Sequence, residues 1–190
     1  MTASMQVTPL ALPDVKLVTP VVRPDSRGFF LERWNAAAFA AAGLDVTFVQ
    51  DNHSRSMRGV VRGLHFQAGS HAQGKLVGVT RGRILDVAVD LRVGSPTFGR
   101  WVSAVLSDVE LQQLWVPAGF AHGFAVLSEV ADVIYKTDYP YTTAADAGVR
   151  WNDPTIAVAW QLEGATPLVS ERDAALPLLT DLDRFPGARP

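Results

Sequence analysis

The strongest alternation of apolar and polar positions in the chain runs over residues 84–91 (ILDVAVDL). Leu85, Val87, Val89 and Leu91 fall on one face and Asp86 and Asp90 on the other, in the two-residue repeat of a β-strand. The apolar face predicts core. Similar short runs follow at residues 101–106 (WVSAVL), 112–117 (QQLWVP), 121–128 (AHGFAVLS) and 130–137 (VADVIYKT), separated by turn residues. From Gln73 onward this is the pattern of an antiparallel β-protein, and its spacing predicts a sandwich or barrel. One alanine-rich stretch, residues 35–44 (NAAAFAAAGL), predicts a short helix that stops at Gly43. Two further short helices or turns are expected near residues 142–147 and 171–179, and the end after about residue 185 is expected to be loose. No linker, repeat or low-complexity segment divides the chain, so residues 1–190 read as one domain.

Composition narrows the class. With 190 residues, 48% hydrophobic and 19% charged, the chain can build a core; it is too apolar for disorder and too interrupted by charge for a membrane span. A net charge of −2 supplies no basic field for nucleic acid, so an anionic ligand needs a local basic site. The absence of cysteine excludes disulfides, thiolate metal ligands and cysteine nucleophiles. The opening residues, MTASMQVTPLALPDV, show no basic region followed by an apolar one, so no secretory signal is read there and the cytoplasm is the expected compartment.

The four histidines are His53, His65, His71 and His122. His122 lies in PAGFAHGF (117–124), a Pro-x-Gly-x-x-His pattern in which a turn delivers a histidine at the start of an apolar strand; in cupin barrels the equivalent histidine faces the lumen. His65 lies in RGLHFQ (62–67). A metal-binding cupin would carry a second histidine two residues later, where this chain has Gln67, so a closed ligand set would have to recruit His53 or His71 from apparent loops. No metal is expected. Residues 50–75 are nonetheless dense in polar side chains, with Gln50, Asn52, Arg62, His65, Gln67, Gln73 and Lys75 alternating with apolar ones. Such a segment is either an exposed polar hairpin or a pair of strands pointing polar groups inward.

Seven segments favour the second alternative. DSRGFFLERW (25–34), QDNHSRS (50–56), VVRGLHFQ (60–67), residues 73–99 from QGKLVGV to SPTFG, VPAGFAHGF (116–124), YKTDYPY (135–141) and WNDP (151–154) occur in the order found in the dTDP-4-dehydrorhamnose 3,5-epimerase family. Together they resemble it closely, from about residue 25 to Asp173. The resemblance implies a mainly β fold, a cupin-like double-stranded β-helix (jelly-roll) barrel with a few short helices, working without a cofactor.

It also implies the chemistry. In a 4-keto sugar the carbonyl acidifies the protons on C3 and C5, so epimerisation proceeds through an enolate and reprotonation from the other face. His65 matches the family's proton acceptor and Asp173 the carboxylate that orients it. Lys75 is the candidate for stabilising the enolate oxygen, although beside Gly74 it could equally be a solvated edge residue. Tyr135 matches the proton donor, with Tyr139 and Tyr141 as competitors that could instead stack on the nucleotide base. Arg27 and Arg62 match diphosphate-binding positions, and Glu32, Gln50, Asn52 and His122 match further substrate contacts. Two departures touch the nucleotide end: Asp146 stands where relatives often carry glutamate, and Arg172 where they often carry lysine.

A homodimer is implied as well, through N-terminal strands that cross to the partner so that Arg27 and Glu32 serve the neighbouring site. The expected substrate is a nucleotide-linked 4-keto-6-deoxy sugar, with no nucleic-acid or membrane partner. Two further readings make different predictions: a mono-epimerase of C3 or C5 would exchange only one proton, and a metal-dependent cupin would hold stoichiometric metal. A non-catalytic sugar-nucleotide binder would have no need of a base and an acid together.

Overall fold

A computed structural model describes residues 4–162 and 164–187. Four short strands come first, β1 (Gln6–Pro9), β2 (Lys16–Thr19), β3 (Val22–Asp25) and β4 (Gly28–Leu31), followed by the helix α1 (Ala36–Ala41). Longer strands follow: β5 (Gln50–Met57), β6 (Val61–Gln67), β7 (Lys75–Arg81), β8 (Arg83–Asp90), β9 (Trp101–Ser107), β10 (Gln113–Val116), β11 (Phe120–Val126) and β12 (Val130–Thr137). The short strand β13 (Asp146–Gly148) and the helix α2 (Glu171–Ala174) complete the order. All strand pairs are antiparallel, in a six-stranded sheet of order β1-β2-β10-β7-β12-β5 and a five-stranded sheet of order β13-β6-β11-β8-β9. The hairpin β3–β4 stands apart.

The sheets pack face to face in the cupin-like, jelly-roll manner expected, without a closed ladder around the barrel. Val77, Val79, Leu114, Val116 and Val133 of the six-stranded sheet meet Ile84, Ala88, Leu106, Phe120 and Phe124 of the other in one core. Two further layers cover the outer faces. Phe39 of α1 and Leu44 pack on Leu76 and Trp115, while Ile156, Trp160 and Leu179 pack on Leu85, Val87 and Val89. Strand β8 is therefore buried on both sides, and its run of β-branched and aliphatic residues is the composition such a strand needs. The alternating apolar face of residues 84–91 is core, but it packs outward. Asp86 and Asp90 face the barrel lumen, and both are fully buried.

Most predicted elements stand where the pattern put them. The helix of residues 35–44 is α1, capped by the Asn35 side chain, which accepts from the Ala38 N–H at 3.1 Å. Gly43 ends it at φ +83°, a conformation that costs a non-glycine residue strain. Near residues 142–147 there is one 3₁₀ turn, Thr143–Ala145, followed by β13, and residues 171–179 hold α2 and the start of a second 3₁₀ turn at Leu179. The β-structure begins well before Gln73: six strands precede it. Residues 50–75 do not form a hairpin, because β5 and β6 lie in opposite sheets and face each other across the lumen. The chain is anchored past residue 185, where Pro186 is buried and bridges Gly69; residues 188–190 lie outside the described residues. No helix among the described residues is long and apolar enough to cross a membrane.

One end of the lumen is closed by a polar knot. The Asp90 carboxylate accepts from Arg92 Nε and Nη2 at 2.9 and 2.7 Å, from Ser95 Oγ at 2.7 Å and from Thr97 Oγ1 at 2.6 Å. Burial pushes this carboxyl up, but the bonds from Arg92, Thr97 and Ser95 outweigh it and bring its pKa down to about 2. Because the folded value lies below the ordinary 3.8, the knot contributes stability in full above about pH 4 and loses it as pH falls toward 2. Asp90→Ala leaves Arg92 with Asp14, 2.6 Å from its Nη1, as its remaining carboxylate and strips Ser95 and Thr97 of their carboxylate acceptor. We expect a loss of roughly 1–3 kcal/mol in urea unfolding at pH 7 and a weaker dependence of the remaining stability on acid.

Candidate active site

The other end of the lumen opens into a cavity of about 220 Å³. Its walls come from strand ends at which inward positions are polar rather than apolar. Strand β5 supplies Gln50, Asn52 and Ser54, β6 supplies Arg62 and His65, β7 supplies Lys75, β11 supplies His122, and β12 supplies Tyr135 and Thr137. The register explains the convergence. His65 pairs with His122 across β6–β11, and Tyr135 pairs with both Asn52 and Val77, so neighbouring side chains point to the same side.

His65 Nε2 lies 2.7 Å from Asp173 Oδ1. Asp173 is buried, and its second oxygen accepts from the Gly63 N–H at 3.2 Å. Burial raises this carboxyl, but the His65 hydrogen bond and charge, the Gly63 N–H and Arg172 together hold it below its ordinary value. A charged Asp173 thus faces the imidazole and fixes the orientation of its ring. Ser170 sets the position of α2 by accepting from the Asp173 N–H at 3.0 Å. Gly63, with φ +138°, is required here. A Cβ on it would sit 2.6 Å from Gly123 Cα, so only glycine lets β6 approach β11 while presenting its N–H to Asp173.

A second imidazole–carboxylate pair stands beside the first. His122 Nε2 is 2.7 Å from Asp86 Oδ1, and both residues are buried. The other Asp86 oxygen is buried without a hydrogen-bond partner among the described residues. Lys75 answers that negative charge. It is only 7% exposed, its Nζ donates to the His65 carbonyl at 3.3 Å, and burial lowers its pKa to about 8 against the opposing pull of Asp86, Asp146 and Asp138. Burial raises the Tyr135 phenol, with Arg62 opposing, so that Tyr135 stays protonated at neutral pH. The lumen therefore offers a carboxylate-backed imidazole, an ammonium and a phenolic O–H around one small space.

The mouth is formed by Tyr141, Asp146 and Arg172. Arg172 Nη2 is 2.5 Å from Asp146 Oδ2, which also accepts from the Tyr141 hydroxyl at 3.2 Å. The two departures noted in the sequence thus meet: a shorter carboxylate is reached by a long, forked cation. Arg62 is tied by Nε to Ser56 Oγ at 2.9 Å and keeps its place in the cavity wall.

Two expected site residues lie elsewhere on this chain. Arg27 is at the tip of the β3–β4 hairpin, exposed and paired with Asp25 at 2.6 Å, and Glu32 lines a separate groove with Arg23 and Phe30. Among the tyrosines, Tyr135 and Tyr141 line the cavity, whereas the Tyr139 ring sits edge-on to His71 at 5.7 Å. His53 is on the outer face of β5, 3.4 Å from Asp132. Both lumen histidines already hold a buried carboxylate, and no three His, Asp or Glu side chains among the described residues cluster as metal ligands would.

A family model described as dTDP-4-dehydrorhamnose 3,5-epimerase matches residues 9–181. The chain belongs to this family. It is 54% identical to the dTDP-4-dehydrorhamnose 3,5-epimerase of Pseudomonas aeruginosa, over 96% of this chain and all of that one. Its structure superposes with a TM-score of 0.92, at 42% identity and over 98% of this chain and 100% of that one, on a dTDP-6-deoxy-D-glucose-3,5-epimerase from Legionella pneumophila in complex with dTDP-4-keto-L-rhamnose. A 3'-monoepimerase from Streptomyces bikiniensis in complex with dTDP-quinovose is also similar, with a TM-score of 0.85 and 33% identity over 91% of this chain and 87% of that one.

The sequence reading missed Asp86, Ser54, Phe124 and Thr137 as parts of the site. In the structure Ile84–Asp90 are all buried, so Asp86 has no solvent face to occupy and is a partnered lumen residue.

Proposed function

We propose that the protein is a dTDP-4-dehydrorhamnose 3,5-epimerase-type isomerase, inverting C3 and C5 of a dTDP-linked 4-keto-6-deoxyhexose in deoxysugar biosynthesis. The observation that carries this reading is the convergence of the His65–Asp173 pair, Lys75 and Tyr135 on one cavity in a chain of this family. His65, engaged through Nε2 by Asp173, takes the proton from carbon on its other ring nitrogen. The electron pair moves onto the C4 oxygen, where the Lys75 ammonium meets the developing enolate charge. Tyr135 returns a proton to the opposite face, leaving inverted carbon, and solvent restores both groups before the second centre reacts.

The narrow lumen suits the hexose, and the wider mouth suits the nucleotide. Tyr141, half exposed, offers a face for the base, and Arg62 and Arg172 offer guanidinium groups for phosphate oxygens. A homodimer fits the hairpin β3–β4, where Phe29 and Phe30 are 57% and 67% exposed beside Arg27 and would be covered by a partner.

The deciding experiment follows deuterium by NMR as the enzyme acts on dTDP-4-keto-6-deoxyglucose in heavy water. We expect incorporation at both C3 and C5. Incorporation at one carbon only would establish the mono-epimerase reading, and none at either would remove the catalytic one. Tyr135→Phe should still exchange protons through His65 while inverted product falls by about 10²-fold; Tyr139→Phe should not show this split.

A further inference from the structure

Residues 184–187 form a strap that runs beside Gly69 and the turn leading into β13. The Gly69 N–H donates to the Phe185 carbonyl at 2.9 Å, and the Gly187 N–H returns a bond to the Gly69 carbonyl at 3.2 Å. Phe185 packs on the outer core and lies 5.9 Å from Phe98, and Pro186 is buried. Arg184 is thereby delivered, exposed, beside the turn at residues 144–146. Its Nη1 donates to the Ala144 carbonyl and its Nη2 to the Asp146 carbonyl, each at 3.0 Å. The carbonyl between them, Ala145, accepts from the Ala68 N–H at 2.7 Å.

Three consecutive carbonyls are thus pinned, two of them by one guanidinium. The same short stretch turns Asp146 into the mouth, where its carboxylate gathers Arg172 and the Tyr141 hydroxyl. Strand β13 is only three residues long and pairs on one side alone, so its ladder gives little rigidity to this wall. We propose that Arg184 is a positioning residue which, through the Ala144 and Asp146 carbonyls, holds the Asp146–Arg172–Tyr141 wall in place for the nucleotide end of the substrate. The inference rests on the functional reading above for its substrate, but not for its geometry. The fork matters: a lysine ammonium could satisfy one carbonyl well, whereas the planar guanidinium spans both.

The test compares wild type, Arg184→Ala and Arg184→Lys. In Arg184→Ala the KM for the dTDP-linked sugar and the Kd for dTDP measured by calorimetry should each rise about tenfold, as expected for losing bonds from a charged donor. Turnover should stay within about twofold, since the residues around the hexose lie on other strands, and Arg184→Lys should recover part of the loss. Amide hydrogen exchange of the ligand-free proteins should quicken at residues 142–147 in Arg184→Ala and stay unchanged at residues 61–67. Unchanged exchange at 142–147 would overturn the strap's role whatever the protein's activity. A fall in kcat with KM and dTDP affinity intact would equally overturn it. Should Arg184→Ala fail to fold, Arg184→Lys carries the same comparison. Absence of epimerisation by wild type would count against the functional reading alone, since exchange at 142–147 reads the strap without substrate.

Discussion

Replacing His65 with asparagine should lower kcat by about 10²–10⁴-fold while changing KM little, since loss of a general base removes a transition-state interaction. Asparagine stays polar but is smaller than imidazole, its amide ends short of the Nε2 position that meets Asp173, and it cannot take a proton. Asp173→Asn should fall within about tenfold of the same loss, because an amide does not fix the imidazole tautomer or stabilise the imidazolium. The pair acts as a unit at 2.7 Å, so the double variant should be scarcely worse than the more damaged single one. Deuterium exchange at both C3 and C5 should vanish in His65→Asn. Persistent exchange at either carbon would assign a second base, and His122, backed by Asp86 in the same lumen, would be the group to examine.

The second large effect concerns Lys75. In Lys75→Met turnover should drop by about 10²–10³-fold, the scale for removing one donor aimed at a developing oxyanion. Stability should move the other way. The fall in the Lys75 pKa from 10.5 to about 8, burial outweighing the pull of Asp86, Asp146 and Asp138, corresponds to roughly 3 kcal/mol by which the folded surroundings disfavour its charge. Below about pH 8 the folded protein carries this cost; between pH 8 and 10.5 the unfolded chain holds a proton that the folded one has lost, so stability rises with pH there. The methionine variant, uncharged at every pH, should melt higher than wild type at pH 7 and lose that rise in alkali. A variant that is inactive and also less stable would mean that Lys75 serves chiefly as the structural counter-charge of Asp86. In wild type, activity should decline above about pH 8 as the ammonium is lost.

How much of this was legible beforehand depended on whether the relevant physics is local. Period-two alternation located β8 to β12 within a residue or two, and the alanine run located α1, because both signals live in neighbouring residues. Strands β1 to β4 are four residues each, too short to show a period. The role of Asp86 was hidden for a related reason: alternation tells two faces apart but cannot say that both are buried, which depends on the layer contributed by Ile156, Trp160 and Leu179 far along the chain. Residue types alone raised His65 and His122, yet nothing local joins His65 to Asp173. That pairing came from resemblance; in the structure the two side chains stand 2.7 Å apart. Choosing among three tyrosines likewise needed the register of β12, which turns Tyr135 inward and leaves Tyr139 beyond the strand end.

Strand β8 carries two lumen-facing carboxylates four positions apart, about 13 Å at the rise of an extended chain. One serves the reacting end and the other clasps the closed end, with apolar packing between them. Groups at that separation contribute almost independently. An engineer can therefore reshape the sugar pocket around Asp86 and harden the protein against acid and heat around Asp90 as separate projects, combining the results without expecting either to undo the other.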